Sequence, residues 1–136
     1  FAFTDQPLHS SAEPVKGVLI DFGRAEIDYE WTGSGWQRTH NGAAHTDSDG
    51  VRVAPANVVV QFTRYGISAA DLRSPEAITT GSGEAWVFTR GNLVRGEWSR
   101  PDPSEPATFT TDGGPIHLAP GRTWVALAPP GSATWR

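Results

Sequence analysis

The run Val58-Val59-Val60 places the tightest limit on how this chain can fold. Three consecutive β-branched residues are stiff at χ1 and suit a pleated surface, and an apolar stretch without alternation predicts a strand covered on both faces. Asn57 to Arg64 is therefore expected to be a central strand. The polar loop that runs into it, RTHNGAAHTDSDGVRVAPA from Arg38, holds two of the four histidines, His40 and His45, with Asp47 and Asp49 beside them. The densest group of titratable side chains thus abuts the best core segment.

Punctuation sets the rest of the fold. Fifteen glycines and eleven prolines among 136 residues exclude long helices and demand frequent turns, while six tryptophans and six phenylalanines supply bulk for an all-β domain. Val15 to Phe22 reads as the first strand. Glu26 to Thr32 and Trp36 to His40 form a hairpin around Gly33-Ser34-Gly35. Along it Ile27, Tyr29 and Trp31 alternate with Glu26, Asp28 and Glu30, so one face belongs to the core and the other to water. Asn41-Gly42 is a tight-turn pair that folds the chain back just before His45. A second hairpin, Glu84 to Thr89 with Asn92 to Arg100, turns at Arg90-Gly91. Pro101, Pro103 and Pro106 then impose an extended connector. Thr108 to Thr111, a turn at Asp112-Gly113-Gly114, Ile116 to Leu118 and Thr123 to Ala128 complete the strands, and the residues from Pro129 onward are expected to fray. A short helical turn is expected at Ser68 to Arg73, and Phe1 and Phe3 are expected to dock on the core.

The expected whole is a single β domain over residues 1–136. It is a mostly antiparallel sheet, sandwich or partly open barrel of about eight or nine strands with at most one short helix. Val58, Val60, Trp86, Phe88, Trp124 and Leu127 are expected to share one core.

Several function classes are disfavoured at once. A net charge of −4, with ten scattered arginines against the lone Lys16, is the wrong balance for a nucleic-acid binder. The lack of cysteine removes thiol catalysis, CxxC redox chemistry and iron–sulfur ligation. No apolar run reaches the ~20 residues of a membrane-spanning helix. There is no GxSxG elbow, and Gly81-Ser82-Gly83 lacks the following helix a phosphate loop requires, so it reads as a bulge or turn entering a strand. Because the chain begins with Phe1 rather than Met, a processed product or a piece of something longer is expected.

Imidazole and carboxylate side chains suit transition metals, and His45, Asp47 and Asp49, with His40 nearby, contain both. They match no established ligand spacing, and no metal or cofactor is assigned to them. The plain alternative is a loop whose Asp and Asn side chains hold turns through their own backbone. The candidate polar site is Arg38, His45, Asp47 and Asn57: an Arg–Asp pair beside an imidazole at the foot of the central strand, with Asn57 fixing the loop. Trp36, beside a Gly-rich turn, is the candidate aromatic platform, whereas Trp86 and Trp124 lie in apolar strands and are expected in the core. Asp21, Asp28, Glu30, Glu84 and Glu97 include possible carboxylate pairs, but sequence gives no separation between them.

The closing half, with GSGEAWVFTRG, GEWSRPDPSEPATF, TDGG and HLAPGRTWVALAP, resembles the C-terminal domain of the YerB-like family of bacterial lipoproteins. The earlier order fits as well: PVKGVLIDF, Trp31 and Trp36 in a hairpin, Arg38, Gly42, His45 and Asp47, then ANVVVQ. The likeness runs over roughly residues 1 to 129, and the ordered combination is far more specific than any piece of it. The resemblance implies an extracytoplasmic, membrane-tethered protein in which a first domain, itself a natural partner, precedes this one. It carries no assigned activity and no catalytic residue. The expected function is a non-catalytic envelope module that binds a cell-wall glycan or a partner protein. The alternative is an envelope hydrolase centred on Arg38, His45 and Asp47, metal-assisted or not.

Overall fold

The structure, a computed structural model, describes residues 2–3, 12–67, 75–112 and 114–136. Among the described residues there is no helix, and strands dominate. The longer ones are β1 (Gly17–Asp21), β2 (Glu26–Trp31), β3 (Trp36–His40), β4 (Asn57–Phe62), β5 (Gly81–Thr89), β6 (Asn92–Arg100), β7 (Thr108–Thr111) and β8 (Thr123–Ala128). A short closing strand, β9, spans Ala133–Trp135. The helical turn expected at 68–73, the docking of Phe1 and Phe3, and residue 113 of the expected 112–114 turn lie outside the described residues and side chains.

Two sheets pack face to face. The seven-stranded sheet runs from the two-residue Gly114–Pro115 strand through β7, β6, β5 and β4 to β8, with Glu13–Pro14 added alongside β6. All its pairings are antiparallel except β4 with β8, which is parallel. The five-stranded sheet runs β9, β1, β2, β3 and then Ala43–Ala44, antiparallel throughout. Turn chemistry sets the β5–β6 hairpin and the short return from β3 to Ala43–Ala44, because Arg90 and Gly91, and likewise Asn41 and Gly42, take the positive φ that a two-residue hairpin turn needs.

Side-chain alternation then divides the core. Val58, Val60 and Phe62 face the second sheet, where they join Trp86, Phe88 and Leu93 against Val18, Ile20, Ile27, Tyr29, Trp36 and Ala133. Val59, Ala85, Val87, Val94 and Trp98 face the other way and are covered by Phe109, Ile116 and Leu118. Every residue of β4 is buried, as the unbroken valine run requires of a strand with apolar layers on both sides.

Three expectations need correcting. The chain does not fray after Pro129: β9 pairs with β1 at its edge, and the Arg136 guanidinium forms a two-pronged ion pair with Asp28. Trp36 is not a platform, being 0% exposed, with its ring packed 5.0 Å from Trp31 and 5.5 Å from Phe88. Trp124 and Leu127 do not join the main core with Val58, Val60, Trp86 and Phe88. They are three residues apart on one strand, so they point to opposite faces, and β8 is an edge strand that leaves both half-buried.

Candidate functional site

The polar site is assembled from the inner side of β3. Arg38 lies directly across from Tyr29 of β2, so both side chains project into the inter-sheet space at its margin. The Asn41–Gly42 turn brings the chain back, and the His45 amide donates to the Arg38 carbonyl at 3.1 Å. The loop closes when Val53 N–H donates to the His45 carbonyl at 2.8 Å and Arg38 N–H to the Val53 carbonyl at 2.9 Å. The Arg52 guanidinium reinforces the closure from outside by bonding the Arg38 carbonyl and the Thr39 hydroxyl.

Within this frame the Arg38 guanidinium is fixed on three sides. Nε donates to the Tyr29 hydroxyl at 3.2 Å, and Nη1 donates to Nδ1 of His45 at 2.7 Å. Cζ lies 5.2 Å from the centre of the Trp124 ring and 5.9 Å from that of Tyr29, within the range of cation–π attraction. His45 meets Trp124 edge-on at 5.7 Å. Because a guanidinium has no acceptor, the short contact requires His45 to accept at Nδ1 and to carry its proton on Nε2. Burial pushes the Tyr29 phenol above its ordinary value, and the hydrogen bond and charge of Arg38 offset part of that rise. The phenol is therefore neutral at physiological pH and retains its own O–H to donate.

Of the four residues grouped by sequence, only Arg38 and His45 come together. Asp47 is turned into its own loop, where Oδ1 accepts from the amides of Asp49 at 2.9 Å and Val51 at 3.0 Å. This is the turn-holding role open to a short acidic side chain, and it leaves Arg38 without the expected carboxylate. Asn57 points to the opposite face of β4, away from the cluster. There its amide nitrogen donates to the Ala119 carbonyl and the Thr123 hydroxyl, while its oxygen accepts from the Thr89 hydroxyl and the Ala119 amide. It is a fully satisfied buried fastener between β4, β5 and the turn before β8.

The residues that sequence missed are Tyr29 and Trp124. Tyr29 was legible as core, and its position opposite Arg38 follows once the hairpin register is known. Trp124 carried no signal, since only the sheet order shows that β8 is an edge. Of the acidic candidates, Asp28 is committed to Arg136, and Asp21 holds the turn at Gly23. Glu84 and Glu97 stand directly across from each other on β5 and β6, exposed, with Glu84 also accepting from the Trp86 indole. Among the described residues no three His, Asp or Glu side chains converge as metal ligands would.

The arrangement defines a class: a two-sheet β domain presenting a fixed guanidinium on an aromatic floor. The sequence profile described as "Protein of unknown function (DUF3048) C-terminal domain" matches residues 18–125, and the chain belongs to that family. Its fold is similar to that of the YerB protein from Bacillus subtilis, with a TM-score of 0.80 and 19% identity over 99% of this chain. The chain spans 46% of that protein's length. No curated protein matches it.

Proposed function

We propose that this domain is a non-catalytic binding module of the bacterial cell envelope, extracytoplasmic and belonging to a tethered lipoprotein, that holds a cell-wall glycan or partner protein at Arg38, His45 and Trp124. The observation that carries the proposal is the unbalanced charge of Arg38. The guanidinium is half-buried and held by neutral acceptors and ring faces, and among the described residues no carboxylate lies within ion-pair distance of it. A partly desolvated cation positioned this way gains most from an anionic group arriving from outside, because its fork is already oriented and little rotamer freedom remains to be lost. Peptide carboxylates, the acidic groups of cell-wall polymers and acidic protein side chains all meet that requirement. A domain preceding this one in a longer protein is a further proposed partner.

Support for the hydrolytic alternative is weaker in its chemistry. A general base needs a free lone pair, but His45 uses Nδ1 to accept from Arg38 and carries its proton on Nε2. Asp47, the expected orienting acid, is occupied by backbone amides.

Retention of the purified domain on isolated cell-wall material tests the binding role. Arg38→Ala should lose at least about tenfold in retention, as expected for removal of a charge-assisted contact, while its melting temperature falls by only a few degrees. Equal retention of Arg38→Ala and the native chain would remove the patch from the function. Stoichiometric transition metal in the purified protein would favour the hydrolase instead.

A further inference from the structure

We propose that the edge of β8 away from β4, which pairs with no strand among the described residues, is a docking site for an extended acidic segment of a partner polypeptide, which adds a strand to the seven-stranded sheet. The inference takes its charged anchor from the binding role of Arg38 and its geometry from the sheet edge.

The edge differs from the other edges of the two large sheets among the described residues. At the opposite end of its sheet stands a two-residue strand containing Pro115, and the second sheet ends on Ala43–Ala44 and on β9, whose neighbour Arg136 is tied to Asp28. Short strands, proline and charge are the usual protection of sheet edges. β8 has none of these over six residues, Thr-Trp-Val-Ala-Leu-Ala, and Val125 is 43% exposed. Its unused backbone groups can be assigned. The carbonyls of Arg122 and Ala128 accept from the Asn57 and Thr63 amides of the β4 side. Parallel pairing alternates by two, so Trp124 and Ala126 also face β4, and the N–H and C=O groups of Thr123, Val125 and Leu127 point outward. The Tyr65 hydroxyl already donates to the outward Leu127 carbonyl, which agrees with this direction and leaves Thr123 and Val125 as the rungs with no outward partner among the described residues.

Outward donors and acceptors at strand spacing define the occupant as extended polypeptide backbone. Charge defines its side chains. Arg122 immediately precedes the strand, Arg64 follows the residue that bonds its last carbonyl, and Arg38 lies over Trp124. None of the three has a carboxylate partner among the described residues. A second copy pairing edge to edge would bring two such sets of arginines to one seam, which disfavours self-association. An acidic strand would instead alternate, placing an apolar side chain beside Val125 and an acidic one on the Trp124 face toward Arg38.

The test uses a labelled, end-capped decapeptide alternating valine and glutamate, titrated into the native domain while backbone amides are followed by NMR. On saturation the outward amides of Thr123 and Val125 should exchange at least about tenfold more slowly, whereas Trp124 and Ala126, already bonded, change little. N-methylating the valine nitrogens of the peptide, which leaves the protein untouched, should weaken binding at least about tenfold. Equal binding of the methylated peptide, with no new protection, would mean carboxylate capture by Arg38 without strand addition, so this inference falls and the envelope-binding role stands. No binding of either peptide at millimolar concentration would also overturn it, and the cell-wall retention of Arg38→Ala then decides the wider role separately. A concentration-dependent dimer that protects the same two amides without peptide would assign the edge to a second copy and overturn the acidic partner.

Discussion

Two tryptophans have exchanged the roles that their sequence surroundings suggest. Trp36 follows a glycine-rich turn that suggests exposure, yet it is fully buried between Trp31 and Phe88. Trp124 sits in an apolar run that suggests burial, yet it forms the half-buried floor beneath Arg38 and His45. The energetic consequence differs accordingly. Trp36→Ala empties a site with no route for solvent and should cost about 3 to 5 kcal/mol of unfolding free energy. Trp124→Ala removes edge contacts and a cation–π pair and should cost less than about 2 kcal/mol, while reducing retention on cell-wall material as strongly as Arg38→Ala. Urea melts of the two variants, run beside the retention assay, check both halves; a larger stability loss for Trp124→Ala would return that residue to the core.

Strands and turns were legible where local chemistry specifies them. The valine run of β4, the alternation along β2, and the Asn41–Gly42 and Arg90–Gly91 turns all lie where residue type alone places them. What covers the outer face of β4 was not legible, because Ile116 and Leu118 reach it through the chain crossing behind β5 and β6, a long-range packing choice without a local signature. The same limit hid the site: Arg38 and His45 are close in sequence and joined by a turn, whereas Trp124 comes from a strand near the other end of the chain. Gly96 on β6 marks the crossing. A Cβ there would strike the Thr110 carbonyl and come within 2.9 Å of the Ile116 side chain, and a backbone oxygen cannot step aside as a flexible side chain can. Gly96→Ala should therefore cost about 1 to 3 kcal/mol by forcing β7 and the covering segment outward. Denaturant unfolding measures it, and a change within about 0.5 kcal/mol would show that β7 shifts freely.

At the scale of the whole molecule, the two sheets share one core across their inner faces, and β4 and β5 also contribute to the second apolar cluster on the outer face of the seven-stranded sheet, so the two clusters are joined through the same strands. That argues for a single cooperative unfolding transition in which distant chain segments stand or fall together. β9 is the sharpest test, because the last residues close on β1 near the start of the described domain. Ala133, Thr134 and Trp135 pair with Ile20, Leu19 and Val18, Trp135 meets Trp86 edge-on at 5.0 Å, and Arg136 joins Asp28. The ion pair is largely solvent-screened and contributes at most about 1 kcal/mol. The aromatic contact adds about 0.5 to 1.5 kcal/mol, and the lost strand also uncovers the edge of β1 with its buried Val18 and Ile20. Deleting residues 133–136 should lower stability by about 2 to 4 kcal/mol. It should leave one transition, with tryptophan fluorescence and far-UV circular dichroism moving together to a lower urea midpoint. An unchanged midpoint would make β9 an ornament of the fold, and two separated transitions would mean that the sheets do not depend on their common core.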